Sequence, residues 1–222
     1  MEFQIIQVLT AAEVQRFLLE FQTAKFVDGR ATASGLAKDV KQNLQVDRSG
    51  SDWPILDDLV FSALRRNKEF QLFAQPKRVL PPIYSRYEIG MQYGTHIDGA
   101  IMGGANPLRT DLAMTLFLSD PDSYDGGELL IEQPLGAQAI KLAQGEAVVY
   151  PATMLHRVEP ITRGVRFAVV TWIQCAVRDP RIRAILYDLG NATAKAEAAE
   201  DAASLLLLSK CYNNLLRYSM DT

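Results

Sequence analysis

The sequence predicts an α+β fold in which helices flank an antiparallel β core, and three observations carry that expectation. Between residues 78 and 178, short segments rich in β-branched and aromatic residues follow one another closely, with no helical period between them. The breaks between them hold turn formers: Asp125-Gly126-Gly127, Leu135-Gly136, Gln144-Gly145 and Arg163-Gly164. On either side of this region the apolar residues recur at helical spacing instead. Many short strands without intervening helices indicate a sandwich or barrel. The chain therefore divides into an N-terminal helical region over 1–77 that supports the core, a β core over 78–178, and a C-terminal helical extension over 179–222.

Thr10-Ala11-Ala12-Glu13 has the form of a capping box and opens an amphipathic run through Val14, Phe17, Leu18 and Phe21. Residues 27–51 are rich in Gly, Ser, Thr, Asp and Lys, with a short helical pattern around Leu36, Val40 and Leu44. A further helix is expected from Ile55 to Asn67, where Leu56, Leu59, Val60 and Leu64 share a face. The expected strands are Val79–Glu88, Leu112–Leu118, Glu128–Glu132, Ala137–Leu142, Glu146–Tyr150, Leu155–Ile161 and Val165–Gln174. After Asp179-Pro180 a helix runs through Ile182, Ile185, Leu186 and Leu189 and breaks at Gly190-Asn191. An Ala-rich helix then ends in Leu205–Leu216. It is expected to pack on the barrel, and homo-oligomerisation through these C-terminal helices stays open.

Composition excludes several classes. Of 222 residues, 48% are apolar and 22% charged, which is ordinary for a globular domain. A net charge of −3, with no cluster of Lys or Arg, gives no general attraction for nucleic acid or an anionic membrane. The aliphatic run Leu205–Leu208 is far too short to span a bilayer. Met1-Glu2-Phe3-Gln4 lacks a basic start, and Gln7 interrupts its apolar run, which argues against a signal peptide. Cys175 and Cys211 both lie among apolar residues and read as buried free thiols in a reducing compartment, so a cytoplasmic location is expected.

The two histidines of the chain both fall in the β region. On an extended segment residues i and i+2 point the same way, about 6–7 Å apart, so His96 and Asp98 can converge on one ion. His156 begins another expected strand. Two imidazoles and one carboxylate on one face, with open positions left over, form the triad of non-haem iron oxygenases. The helical His-Glu-x-x-His spacing of zinc hydrolases is absent. Arg166 follows His156 by ten positions, in a hairpin closed by Arg163-Gly164 that would turn both side chains to one interior. An inward arginine needs an anion, and the distal carboxylate of a dicarboxylate co-substrate offers bidentate geometry. The bland alternative is a surface arginine paired with Glu128 or Glu159.

The stretch from Ser85-Arg86-Tyr87 through Gly126-Gly127-Glu128-Leu129 to Tyr150-Pro151-Ala152-Thr153-Met154-Leu155-His156-Arg157-Val158 and Arg166 resembles the bacterial PKHD-type hydroxylases, relatives of prolyl and lysyl hydroxylases. Val177-Arg178-Asp179-Pro180-Arg181 and Leu186-Tyr187-Asp188-Leu189 extend the likeness over most of the chain. The resemblance implies a double-stranded β-helix (jelly-roll) core and an oxygenase using iron(II), 2-oxoglutarate, dioxygen and L-ascorbate. It implies His96, Asp98 and His156 as metal ligands and catalytic residues, and Arg166 as the 2-oxoglutarate ligand. Where eukaryotic prolyl hydroxylases place a tyrosine near the co-substrate, this chain has Phe117, so Tyr87, Tyr93 or Thr115 takes that place. The implied reaction is hydroxylation of a peptide or small molecule, with 2-oxoglutarate going to succinate and carbon dioxide. The rival reading is a non-catalytic iron or 2-oxoglutarate sensor.

Three further features read plainly. Gly126-Gly127 suits a tight β turn better than a phosphate loop, since no helix follows. Arg109 could meet an anionic substrate or be a solvated loop charge. Tyr87 and Tyr93 could line the pocket or pack in the core.

Overall fold

Alternation along the strands decides the layering. In the computed structural model, which describes residues 3–33, 35–49 and 53–221, an eight-stranded antiparallel sheet forms the centre. Strands and helices are numbered in chain order. The sheet runs β1 (Gln4–Gln7), β14 (Glu146–Pro151), β10 (Leu112–Phe117), β17 (Arg166–Cys175), β6 (Ile83–Tyr87), β4 (Leu44–Val46) and β2 (Phe26–Asp28), and β5 (Pro76–Val79) pairs with the far end of β17. A second sheet has the order β13 (Gln138–Ile140), β12 (Leu129–Ile131), β15 (His156–Val158), β7 (Gln92–His96) and β3 (Lys41–Gln42). Two small ribbons pair β8 (Ile101–Met102) with β9 (Leu108–Arg109) and β11 (Asp125–Gly126) with β16 (Ile161–Arg163).

One face of the large sheet sends Leu112, Met114, Leu116, Val149, Val169 and Ile173 into a core shared with α1 (Ala11–Thr23), α3 (Trp53–Arg66) and α4 (Lys68–Ala74). The other face sends Tyr87, Ala113, Phe117, Val148, Tyr150 and Trp172 against Leu129, Ile131, Ile140 and Val158 of the small sheet. Each fully buried Leu, Val or Ile stabilises the fold by about 1.5–3 kcal/mol relative to exposure. The capping box forms as expected: Glu13 N–H donates to Thr10 Oγ1 at 3.3 Å, and Thr10 N–H donates to Glu13 Oε2 at 2.8 Å. Val14, Phe17 and Phe21 are the buried face of α1.

Several boundaries differ from the sequence expectation, each for a physical reason. Val79–Glu88 is two strands because Pro81 and Pro82 cannot donate to a ladder. Leu155–Ile161 is likewise divided, at Glu159-Pro160. The region before residue 78 supplies strands as well as helices. Leu44 lies in β4 and not in a helix, while Leu36 does fall in the short α2 (Gly35–Asp39). The third helix ends at Arg66, since the Asn67 side chain caps α4 by accepting from Phe70 N–H at 2.8 Å. Readings that touch Met1, Glu2, Ser34, Gly50, Ser51, Asp52 or Thr222 fall outside the described residues.

The C-terminal break is the main correction. α5 (Pro180–Ala198) runs straight through Gly190-Asn191. A Cβ on Gly190 would come within 2.4 Å of Leu72 Cδ1, so that glycine allows α5 to lie close on α4. The chain turns instead at Glu200, with φ of +56°, and Asp201 caps α6 (Ala202–Ser219) by accepting from Ser204 N–H at 3.1 Å. α6 packs along α5 and has no fully buried residue. Cys211, on α6, is exposed, contrary to expectation; Cys175 is buried, and burial pushes its thiol up to about 12. Among the described residues, no helix is long and apolar enough to cross a membrane.

Candidate active site

The site grows from one cross-strand pair. β7 and β15 are antiparallel neighbours in the small sheet, and His96 lies directly opposite His156. Side chains opposite each other in such a ladder sit about 4.5–5.5 Å apart at Cβ, and the two imidazole centroids are 4.3 Å apart. Thr95 and Ile97 are exposed at the rim of the cavity while His96 is buried and Asp98 half-buried within it, although β7 ends at His96 and Asp98 lies just beyond the ladder. The expected i, i+2 geometry thus holds across the end of a strand. Donor atoms of His96, Asp98 and His156 all lie within 4.8 Å of one another.

Both rings are oriented by the same device. His96 Nδ1 contacts the Gly94 carbonyl at 2.8 Å, and His156 Nδ1 contacts the Met154 carbonyl at 3.0 Å. A carbonyl only accepts, so each contact places the proton on Nδ1 and leaves the Nε2 lone pair for a ligand. Tyr93 stacks on His96 at 3.6 Å, and Tyr150 meets His156 edge-on at 5.3 Å. Burial, reinforced by His156 and Lys41, lowers His96 to about 4, so its ring is neutral at pH 7. Burial also raises Asp98, against the opposing pull of His156, the Trp172 indole and Lys41. Asp98 Oδ2 is buried without a hydrogen-bond partner, 3.9 Å from His156 Nε2. An orphaned carboxylate oxygen beside two available imidazole nitrogens is a donor set that fits a divalent iron, with positions left for other ligands.

Across the cavity stands Arg166, only 1% exposed. Its guanidinium lies over the rings of Phe117 at 5.1 Å and Tyr87 at 5.2 Å. Nε and Nη2 have no partner, and no carboxylate pairs with it among the described residues. Glu159, a candidate partner on the surface reading, is taken by Arg157 at 2.7 Å. The expected hairpin does not form: β15 belongs to the small sheet and β17 to the large one. The chain crosses between sheets through β16, so His156 and Arg166 line opposite walls of one cavity of about 520 Å³. Gly127, with φ of +69°, makes room for the arginine; a Cβ there would lie 2.9 Å from Arg166 Cδ. The expected tight turn does not form at Gly126-Gly127: Gly126 ends β11, Gly127 begins the link to β12 in the small sheet, and the pair has a packing role.

Of the three residues weighed as helpers of Arg166, Tyr87 touches it, Thr115 lines the same cavity, and Tyr93 instead stacks on His96. Arg109 is a half-buried charge already committed to partners, pairing with Asp111 at 2.7 Å and with Asp221 at 3.4 Å. Sequence reasoning missed Tyr124, whose fully buried hydroxyl sits beside Arg166 without a hydrogen-bond partner. It also missed Lys41, Asn43 and Trp172, which line the cavity from strands of both sheets and the turn between two of them. Only the position of Tyr124 just before the Gly126-Gly127 pair hinted at any of these.

Comparison with known proteins agrees with this geometry. Residues 82–174 match the 2OG-Fe(II) oxygenase superfamily. A PKHD-type hydroxylase of Methylobacterium nodulans is 44% identical over 215 residues, covering 95% of each chain. One from Thermosynechococcus vestitus is 42% identical over 219 residues, covering 98% of each. A Pseudomonas putida prolyl-4-hydroxylase structure superposes with a TM-score of 0.53 at 18% identity, over 78% of this chain and 92% of that one. A Trichoplax adhaerens prolyl hydroxylase in complex with a hypoxia inducible factor peptide fragment gives 0.54 at 16% identity, over 83% and 86%. Near-full-length identity at this level, on top of the described site, makes the chain an oxidoreductase that belongs to the PKHD-type hydroxylases of the 2OG-Fe(II) oxygenase superfamily.

Proposed function

We propose that the chain hydroxylates an unactivated C–H bond of a peptide or small-molecule substrate, with 2-oxoglutarate and dioxygen converted to succinate and carbon dioxide. The observation that carries this reading is the facing pair of walls: His96, Asp98 and His156 on one, an unpartnered buried Arg166 on the other. His96 and His156 hold iron(II) through Nε2 and Asp98 through its carboxylate. The ion supplies the redox chemistry that couples dioxygen reduction to loss of carbon dioxide from the 2-oxo acid.

The protein's own groups do the rest. Arg166 grips the distal carboxylate of 2-oxoglutarate with its planar fork, and Tyr87 supports the guanidinium from one side. Tyr124 donates its hydroxyl to the same carboxylate, the role expected of a tyrosine on the strand where Phe117 stands. The Nδ1 contacts to Gly94 and Met154 keep both imidazoles aimed, and the surrounding Tyr93, Tyr150 and Trp172 keep water from the reacting carbon. The two sheets are read as the halves of a double-stranded β-helix, with 78–178 as the dioxygenase core between helical regions. L-Ascorbate sustains turnover, and two free thiols fit a reducing cytoplasm.

The test is optical. Oxygen-free protein given iron(II) and 2-oxoglutarate is expected to develop a weak visible charge-transfer band, and His156→Ala to lose it. An unchanged band in His156→Ala places the metal elsewhere and removes the reading.

A further inference from the structure

Among the described residues, the charged side chains that line the cavity are Asp98, Arg166 and Lys41, together with the two histidines. On the reading above, a divalent cation, the Asp98 carboxylate, dianionic 2-oxoglutarate and the Arg166 guanidinium cancel. Lys41 is the surplus charge. It is only 6% exposed, on β3 beside β7, with Lys41 and Tyr93 opposite each other in the ladder. Its ammonium donates to Thr32 Oγ1 at 3.0 Å and lies 5.1 Å from the Tyr93 ring centroid. No carboxylate pairs with it among the described residues. The Thr32 hydroxyl in turn donates to Gln45 Oε1 at 2.8 Å, which leaves its lone pairs facing the lysine. An ammonium has three donors; one is committed to Thr32, and the side chain lines the cavity with no other hydrogen-bond partner among the described residues. Burial lowers Lys41 to about 8, against the attraction of Asp98 and of Asp28, the latter outside the cavity and paired with Arg30, so it is still mostly charged at pH 7.

The mouth of the same cavity has the opposite character. Leu36, Ile97, Ile101 and Leu155 line it and are all largely exposed. Four aliphatic side chains around one opening are costly to leave in water and mark a surface that meets an apolar ligand. An exposed apolar rim above one uncompensated buried cation selects a ligand with one negative charge and an apolar body.

We propose that the primary substrate is a monoanionic carboxylic acid with an apolar body, its carboxylate held by Lys41 and its body lying against Leu36, Ile97, Ile101 and Leu155. The proposal rests on the iron and 2-oxoglutarate reading of the site. It makes Lys41 the specificity-determining residue.

Acid and amide pairs that share one body separate the charge from the shape. Oxygen-free protein loaded with iron(II) and saturating 2-oxoglutarate is titrated calorimetrically with octanoate and octanamide, and with N-acetyl-leucine and N-acetyl-leucinamide. At least one acid is expected to bind about tenfold tighter than its amide, the size of a single charge-assisted contact. Lys41→Met, which keeps the aliphatic stem, is expected to erase that preference, and Lys41→Arg to keep it. The affinity for 2-oxoglutarate itself should stay within about twofold of the parent in both variants. Equal binding of acid and amide in the parent, or no acid binding at all, overturns the proposal without using any variant. So does a loss of 2-oxoglutarate affinity in Lys41→Met, which would assign the ammonium to the co-substrate's own carboxylate. Acid binding that weakens as 2-oxoglutarate is raised would place the acid on Arg166 and overturn it too. If the iron-loaded parent fails to bind 2-oxoglutarate, the oxygenase reading falls with it; if 2-oxoglutarate binds and the acids do not, only the substrate class falls.

Discussion

On β10, Leu112, Met114 and Leu116 point at the helices, while Ala113, Thr115 and Phe117 point at the cavity. On β17, Val169 and Ile173 face the helices, and Arg166, Val170 and Trp172 face the cavity. The two faces therefore share a backbone and differ only by a step of one residue. Towards the helices, Tyr84 donates to Asp57 at 2.7 Å, Asp57 is paired with Arg48, and Thr171 donates to the Leu80 carbonyl at 2.7 Å; Arg86 Nε is the one buried polar side-chain atom on this side without a partner among the described residues. Towards the cavity, Asn43, Asp98, Arg166 and Trp172 all keep buried polar atoms without partners. Unsatisfied buried groups are uncommon and cost stability, so their concentration on one face marks where ligands complete the structure. One face holds the fold and the other is held in readiness by it.

Substitutions on the two faces should therefore separate function from stability. The largest effect expected is Asp98→Ala: succinate formation falls to background, yet the melting temperature of the ligand-free protein does not drop, because a carboxylate whose Oδ2 is buried without a hydrogen-bond partner is removed. Wild-type-like succinate release takes Asp98 out of the site. Next comes Leu116→Ala on the helix side, expected to cost about 2–5 kcal/mol of stability. Its Michaelis constant for 2-oxoglutarate stays that of the parent below the unfolding transition, and a shift in that constant would show that the two faces are coupled.

Arg166→Ala is expected to remove a contact worth about 1.5–3 kcal/mol, raising the Michaelis constant for 2-oxoglutarate roughly tenfold to a hundredfold. Arg166→Lys recovers part of that, since it keeps the charge without the planar fork. Calorimetry on iron-loaded, oxygen-free protein checks this, and equal dissociation constants for the three proteins would return Arg166 to a structural role. The smallest effect is Tyr84→Phe, which removes one hydrogen bond to Asp57 and should lower stability by about 1 kcal/mol in a denaturant titration. Turnover per folded molecule should be unchanged.

Much of the helix-facing side was legible in the sequence. The capping box at Thr10 and Glu13 and the spacing of Val14, Phe17 and Phe21 are local signals, and local signals survive folding. The His96 and Asp98 pair was readable because two residues on one extended segment fix each other's direction. Arg166 was legible as an inward residue but not its route, because the crossing between sheets at β16 has no local signature. Lys41, Asn43, Trp172 and Tyr124 were not legible, since their direction depends on how strands from distant parts of the chain pack. Gly190 misled for the same reason: a glycine that breaks an isolated helix here lets α5 lie close on Leu72.

The opposition of His96 and His156 has a consequence for the order of events in biosynthesis. On the proposed reading of the site, a nascent chain that has not yet made β15 offers a metal only His96 and Asp98 of the ligand set. The ladder between β7 and β15 closes a long loop, which folding must complete before the full set exists. Metal therefore cannot nucleate this fold as zinc nucleates a finger. The large apolar core on the helix side needs no ion, so metal-stripped protein should keep its native β-sheet circular dichroism. Iron-starved cells would then hold a folded, loadable reserve, whose activity returns with the metal and needs no new synthesis.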